Sequence, residues 1–407
     1  MRLHSGPMEV VYVDPEPPGS AGGGIRTYLR LALGLCRDAG VPARVYTHTP
    51  EAYPGHAAFP IGRKPWLAWP WRGLLYRLAY HDNVLWEHAR WLRDELERED
   101  APDRIHEFAD FHGYAFFALR SWRLRPRCIV RVHTPGYLTL APPRTLKERM
   151  AAALMAFRER DGLTGRARIT APSAAFLAER LPWVKGALHL PNPLPLPPCG
   201  GSRAPVSGAG TGPRILYLGR IEARKGVLTL LAGFLQLAKR DPGPTLALAG
   251  ADVQPYAGKV RSLLEAAPPA LRARVTWVGP CSPEERDALL GRSDILAVPS
   301  LWENSPYVYF EGMAAGLLCV GSATGEMREA AAATGGPLAT PGDPDDWTRV
   351  LEEAAEAWRE TARRDRLLAA QQAYLEERRA GIAERMLACY RDLAAEAGES
   401  GKAGEAG

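Results

Sequence analysis

Short apolar runs alternate along this chain with longer segments whose apolar positions repeat at helical spacing. The runs that predict strands cover 8–13, 41–47, 104–108, 128–133, 168–171, 214–219, 245–249, 274–279, 294–299 and 317–321. Between them, segments such as 25–39, 146–160 and 283–290 have the period of a helix. Apolar strands separated by helices predict an α/β fold, with parallel sheets that helices cover on both faces.

A break in this pattern divides the chain. Residues 195–213 are rich in proline, glycine and serine without periodicity, which is typical of a linker. A chain of 407 residues is also long for one core. We therefore predict an N-terminal α/β domain over 1–194 and a second over 214–379. Residues 380–395 predict a final amphipathic helix, and 396–407 predict a disordered tail.

Composition narrows the class of protein. With 46% hydrophobic and 24% charged residues, the chain is predicted to be globular rather than disordered. The net charge of +5 permits an acidic ligand without requiring one, and no nucleic acid is predicted as a partner. Six scattered cysteines without a CxxC pair, no apolar run of about 20 residues and no signal-peptide core predict a cytoplasmic location.

Two glutamates stand at a predicted loop-to-helix junction within 298–315. Glu303 precedes the helix and Glu311 lies in its second turn, with Ser305 as a good N-cap and Pro306 suited to the first helical position. A helix N-terminus favours phosphate, and carboxylates suit sugar hydroxyls. The donor-binding candidates here are Glu303, Asn304, Ser305, Pro306, Tyr307, Val308 and Glu311. By spacing alone, an amphipathic helix with solvated glutamates remains an alternative.

A strand-to-helix turn in the second half carries two cations. In GRIEARKG at 219–226, Arg220 and Lys225 are placed to clamp a diphosphate. A glycine loop before the first helix, with Gly23 and Gly24, lets backbone approach an anion. Its spacing is not G-x-G-x-x-G, which disfavours an NAD-dependent dehydrogenase.

These motifs resemble those of retaining glycosyltransferases of family 4, in glycosyltransferase group 1, which have the GT-B fold. The matching stretches are GRIEARKG, the ENSP and EGMAAG around Glu311, and the glycine loop. The resemblance implies two Rossmann-like parallel-sheet domains facing a central cleft, with the nucleotide sugar on the C-terminal domain and the acceptor on the N-terminal one. It also implies that Gly23 and Gly24 close over the donor phosphates, and that 380–395 returns to the N-terminal domain.

The resemblance also implies roles for single residues. Arg220 and Lys225 would stabilise the leaving diphosphate, Glu303 would hold the donor sugar and Glu311 the nucleotide ribose. His133, at the end of a predicted strand, would contact the donor sugar near its 6-position. The implied catalytic residues are therefore Arg220, Lys225, Glu303 and His133, without a metal.

Polar residues gather at the end of the strand 104–108. Their spacing matches no common zinc motif, so a polar loop facing the acceptor is predicted, with Glu107 and Asp110 as binding residues. The cluster consists of His106, Glu107, Asp110 and His112.

Two further acidic segments have specific interpretations. In the loop 325–329, Glu329 matches an acid of the family and Glu326 replaces a glycine. Asp343 and Asp345 form a D-x-D pattern, which we interpret as a helix cap because acids favour a helix N-terminus.

Aromatic and basic residues interleave over 60–80. They suit a membrane interface or an acceptor cleft, and the alternative interpretation is a flap packed on its own domain with its basic groups in water. They are Trp66, Trp69 and Trp71 with Arg63, Lys64, Arg72 and Arg77.

The predicted activity is metal-independent, retaining transfer of a hexose-type sugar from a nucleotide-diphosphate sugar to a hydroxyl acceptor. The nucleotide is expected to be UDP or GDP, with no other cofactor, and the acceptor a saccharide or lipid-linked saccharide of a cell-envelope polysaccharide, lipopolysaccharide or glycoconjugate. If the acceptor is lipid-linked, a peripheral contact with the inner face of the membrane is expected. The alternatives are a nucleotide-sugar epimerase, a phosphorylase, or a non-catalytic GT-B binding protein. An epimerase would need a catalytic acid cluster and a phosphorylase a lysine for a bound cofactor, and the sequence marks out neither. A non-catalytic binding protein would have lost charged positions that are present here.

Overall fold

The computed structural model describes residues 8–16, 23–65, 72–140, 142–194, 212–252 and 256–405. The chain forms two compact units. The first comprises Met1–Pro172, Arg180–Pro193 and Gly381–Gly407, and the second Ser173–Glu179 and Leu194–Ala380. The predicted linker, apart from 212–213, and the three tryptophans at 66, 69 and 71 lie outside the described residues.

The first unit is built on a seven-stranded sheet with the order β3-β2-β1-β4-β5-β6-β7, in which the paired strands run parallel. Its strands are β1 (Glu9–Val13), β2 (Ala43–Thr47), β3 (Ala57–Pro60), β4 (Arg104–Ala109), β5 (Cys128–Arg131), β6 (Arg168–Ala171) and β7 (Leu188–His189). Its longer helices are α1 (Gly24–Asp38), α2 (Arg72–Arg98) and α3 (Leu146–Gly162).

The second unit has a six-stranded parallel sheet with the order β10-β9-β8-β11-β12-β13. Its strands are β8 (Arg214–Leu218), β9 (Thr245–Ala249), β10 (Val275–Gly279), β11 (Ile295–Val298), β12 (Leu318–Ser322) and β13 (Leu338–Ala339). Its helices are α4 (Ala174–Arg180, whose last residue belongs to the first unit), α5 (Val227–Arg240), α6 (Ala257–Glu265), α7 (Pro269–Arg272), α8 (Pro283–Arg292), α9 (Tyr307–Ala314), α10 (Gly325–Thr334), α11 (Pro344–Arg359) and α12 (Thr361–Ala380).

Strand alternation divides the second unit into layers. In β11, Ile295 and Ala297 point into a core shared with α5, α6 and α11. Leu296 and Val298 point into another core with α8, α9, α10 and α12. Both faces of β11 are therefore covered, which is why this strand is apolar at every position.

A glycine brings two helices of this layer together. A Cβ on Gly233 of α5 would lie 2.9 Å from both the Pro344 carbonyl oxygen and the Trp347 Cβ of α11. Trp347 is fully buried. A larger residue at position 233 would push α11 away from α5.

Helix α11 also settles the interpretation of the D-x-D pattern. Asp343 is its N-cap and accepts hydrogen bonds from the backbone N–H groups of Asp345 and Asp346, at 2.9 and 3.1 Å. The predicted cap is confirmed, because the carboxylate satisfies N–H groups that have no partner within the helix.

Three local predictions need correction. Helix α13 (Ile382–Glu405) continues beyond residue 396, where a disordered tail was expected. Ser305 does not cap α9, since Pro306 occupies the N-cap position and no side chain caps it. Ser173–Glu179, inside the first predicted domain, group with the second unit. Among the described residues, no helix has the length and apolarity needed to span a bilayer.

Candidate functional site

The two motifs of the second unit meet because their strands are neighbours. The turn 219–226 follows β8, and the loop 299–306 follows β11, which pairs with β8 in parallel. The Leu301 N–H donates to the Arg224 carbonyl at 2.8 Å. Gly226 has φ +65°, and a Cβ there would stand 1.8 Å from the Pro299 carbonyl oxygen, so this approach requires glycine.

A buried charge network joins the two segments. The Lys225 Nζ and the Arg224 guanidinium both pair with Glu303 Oε1, the latter at 3.0 Å. The Ser300 hydroxyl donates to the same oxygen at 3.1 Å. Burial alone would raise the pKa of Glu303, but the two cations outweigh it and lower that pKa to about 2. Burial lowers the pKa of Lys225 against the opposing effect of Glu303.

Arg224 was not predicted as a site residue. Its guanidinium also contacts Glu222 Oε1 at 3.0 Å and lies 4.8 Å from the centre of the Trp302 ring. This third cation of GRIEARKG is visible in the sequence, but its spacing does not distinguish it from a solvated arginine.

Arg220 lies at the exposed edge of the network, which it joins through the Glu222 oxygen that also contacts Arg224. Its side chain is 54% exposed, and its guanidinium pairs with Glu222 at 3.3 Å. The structure thus brings Lys225 onto Glu303 and leaves Arg220 at the surface of the same turn.

The predicted donor loop continues into α9. Asn304 is buried and its carbonyl accepts the Glu326 N–H at 2.8 Å. Pro306 and Tyr307 are buried, and Val308 is half-buried. Glu311 faces Arg286 of α8, with 3.6 Å between the charged groups. Burial raises the pKa of Glu311 although Arg286 opposes it.

The loop around Gly325 contacts this segment closely. Gly325 has φ +50°, and a Cβ there would stand 2.0 Å from the Glu303 carbonyl oxygen. Glu326, which replaces a glycine of the family pattern, is 1% exposed and pairs with Arg378 of α12. Burial raises the pKa of Glu326 to about 7, while Arg378 and the Ser305 hydroxyl oppose the rise. Glu326 therefore contacts the donor loop through its backbone N–H, while its carboxylate pairs with Arg378 of α12.

Glu329 of α10 binds the start of α4. Its Oε1 accepts the Ser173 hydroxyl at 2.8 Å and the Ala175 N–H at 3.1 Å. The acid that matches the family pattern thus holds the 173–179 segment within the second unit.

In the first unit, Asp110 and His133 are brought together at the ends of β4 and β5. Asp110 Oδ1 accepts the N–H groups of His133 and Thr134 at 3.1 and 3.3 Å, and the buried carboxylate thereby shapes this loop. The His133 ring packs edge-on against Tyr28 at 4.8 Å. Burial, with Arg131 nearby, holds the pKa of His133 well below its usual value, so this imidazole is neutral at pH 7.

Gly23 and Gly24 begin α1. Gly23 is its N-cap, and its N–H donates to Glu16 Oε1 at 2.9 Å. Both glycines are exposed, as a loop that approaches a ligand requires.

Glu107 is not placed to bind an acceptor. It is 2% exposed, and its two carboxylate oxygens accept the hydroxyls of Tyr28 and Tyr390 at 2.6 and 2.8 Å. Because β4 lies in the middle of the sheet, this side chain points into the core under α13. Glu107 is a structural residue in this arrangement. Within the described ranges, no three His, Cys, Asp or Glu side chains stand where they could hold a metal ion.

Comparison with known proteins agrees with the second unit's motifs. Residues 212–356 match the family model "Glycosyl transferases group 1". A stretch of 122 residues is 37% identical to glycogen synthase of Mycobacterium tuberculosis (strain CDC 1551 / Oshkosh) and covers 30% of this chain and 28% of that protein. The chain thus spans less than a third of that relative's length.

Solved structures resemble the chain over almost its whole length. Sucrose-phosphate synthase from Thermosynechococcus elongatus has a TM-score of 0.70 at 21% identity, covering 95% of this chain and 99% of that one. Anabaena HepE in complex with UDP has a TM-score of 0.66 at 16% identity, covering 95% and 100%. The chain therefore has the predicted GT-B fold, and over residues 212–356 it is similar to the glycosyl transferases group 1 family.

Proposed function

We propose that this protein is a glycosyltransferase that moves a sugar from a nucleotide-diphosphate sugar to a hydroxyl acceptor. The main support is the charge network in which Lys225 and Arg224 pair with Glu303 at the carboxyl ends of β8 and β11. Parallel α/β sheets bind ligands at this edge. The group 1 match covers the same segments.

The network suits departure of a nucleoside diphosphate. Negative charge grows on the diphosphate as the sugar bond breaks, and fixed cations nearby stabilise it most where water is excluded. Lys225 is held by Glu303, whereas the exposed Arg220 is free to swing from Glu222 onto a bound phosphate. The ionised Glu303 retains an acceptor oxygen for a sugar hydroxyl.

Further details of the reaction rest on the family resemblance. The transfer is retaining and uses protein cations rather than a metal. UDP is the favoured nucleotide, supported by the UDP complex of the similar HepE structure. The acceptor is a saccharide or lipid-linked saccharide that faces the loop of Asp110. The Asp110 carboxylate holds the backbone of His133, which is proposed to contact the donor sugar.

Thermal unfolding with UDP, GDP, ADP, TDP and CDP and their common sugars, with and without EDTA, tests the donor site. One nucleotide should raise the melting temperature by on the order of 5 °C at saturation, insensitive to EDTA. Lys225→Ala should abolish the shift, whereas Lys239→Ala, an exposed lysine late in α5, should keep it.

The matching nucleotide sugar is then incubated with candidate saccharides, and the anomeric configuration of the product is read by NMR. A retained configuration supports the proposal. No nucleotide shift for the wild-type chain would refute the donor site and favour a non-catalytic binding protein. If a nucleotide raises the melting temperature but the product is an epimerised sugar, the protein is an epimerase. If the product is a sugar phosphate, it is a phosphorylase.

A further inference from the structure

Helix α3 of the first unit carries an apolar stripe that faces solvent. Leu146, Met150 and Phe157 are 75%, 47% and 55% exposed, and Ala153 between them is exposed as well. These four residues are spaced by four, three and four positions, which aligns them on one helical face. Exposed apolar side chains scattered singly need no explanation, but an aligned stripe does.

The opposite face of α3 shows why the stripe points outward. Its buried residues include Arg158 and Glu159. Arg158 pairs with Asp82 of α2 at 2.7 Å, and Glu159 accepts the N–H groups of His112 and Tyr137 at 2.8 and 2.9 Å. These polar contacts fix the rotation of the helix, so the apolar residues cannot turn inward without stranding buried charges.

Basic side chains border the stripe. They are Arg144, Lys147, Arg149 and Arg160, all exposed. Two acids lie nearby. Glu148 keeps its charge at the start of the helix, where it accepts the N–H groups of Arg144 and Thr145 in a capping box. Asp161 pairs with Arg120 at 2.7 Å, so the four basic side chains outnumber the unpaired acid. The face is therefore apolar along its centre and positive at its margins.

We propose that this face of α3 docks the first unit on an anionic lipid surface. Apolar side chains enter the boundary between headgroups and acyl chains, while arginine and lysine reach the anionic headgroups. Four stripe residues are too few for a stable protein interface, which uses about 20 residues on each side. These residues differ from those at 60–80, for which the sequence left a membrane interface, an acceptor cleft and a packed flap open. The proposal does not depend on the proposed transfer activity.

Vesicle co-sedimentation of the full chain tests the surface. Vesicles of phosphatidylcholine with phosphatidylglycerol should bind the protein, those of phosphatidylcholine alone should bind it weakly, and rising salt should release it. Met150→Glu and Phe157→Glu should each lower the partition coefficient by at least about tenfold. Leu188→Glu, which changes an exposed leucine of β7, should leave binding unchanged.

The variants are checked for folding by circular dichroism and for association by light scattering. Two results would overturn the proposal. In the first, the wild-type chain does not bind anionic vesicles. In the second, both glutamate variants bind them as strongly as the wild type does. A wild-type dimer that Met150→Glu dissociates would instead assign the stripe to a second copy of the chain.

Discussion

Glu303 allows a stability prediction that can be worked out from its surroundings. Its pKa falls from the ordinary 4.5 to about 2 because Lys225 and Arg224 contact it in a buried site. A depression of about 2.5 pH units corresponds to about 3 kcal/mol in favour of the folded state. Burial also lowers the pKa of Lys225, which offsets part of this, so about 3 kcal/mol is an upper bound for the network.

The sign of the effect sets the pH range. A carboxyl group with a depressed pKa in the folded state stabilises the protein above about pH 4.5, and this contribution disappears as the pH falls toward 2. Glu303→Gln removes the charge and leaves two buried cations without their shared partner. We expect a loss of about 2–3 kcal/mol at pH 7 and a flatter dependence of stability on pH below 4.5.

Urea unfolding at several pH values between 7 and 3, followed by tryptophan fluorescence, measures both quantities. Glu265→Gln, a change at an exposed glutamate of α6, serves as the matched control and should leave the curve unaltered. A Glu303→Gln variant that unfolds with the wild-type free energy at pH 7 and keeps the wild-type slope in acid would contradict the stabilising role of this network.

Two further predictions concern the same unit. Gly226→Ala places a Cβ 1.8 Å from the Pro299 carbonyl oxygen at φ +65°, so urea unfolding should show that the free energy of unfolding falls by at least about 3 kcal/mol. Gly258 lies in a helix with open space around it, and Gly258→Ala should raise the free energy of unfolding by up to about 1 kcal/mol. Equal effects of the two changes would contradict the close contact. Burial raises the pKa of Glu326 to about 7, so its contribution favours folding below about pH 4.5 and is lost as the pH rises through 7. The melting temperature of Glu326→Gln should therefore rise relative to that of the wild type as the pH increases from 5 to 8. A difference in melting temperature that stays constant over this range would contradict the prediction.

Much of the architecture followed from local patterns. The apolar runs correspond to observed strands because a strand buried on both faces must be apolar throughout, as in β11. Asp343 was interpreted correctly as a cap because capping depends on neighbouring backbone groups alone. Ser305 has an equally suitable side chain, but there the chain path places Pro306 at the cap position.

The functional residues also divide into those that a local motif predicts and those that only contacts between distant segments reveal. Lys225 and Glu303 were predicted from motifs, whereas Arg224 joined them only when β8 and β11 brought two distant turns together. Glu107 looked available for an acceptor, yet its place on a central strand buries it beneath two tyrosine hydroxyls.

The sequence by itself determined the alternation of strands and helices, the break between two domains and the segments that carry charge, because each depends on residues close together in the chain. Only the tertiary structure decided which charges share a partner, which are buried and which face of α3 meets solvent. Those properties depend on distances between segments far apart in sequence and on the water that packing removes, and neither is recorded in local spacing.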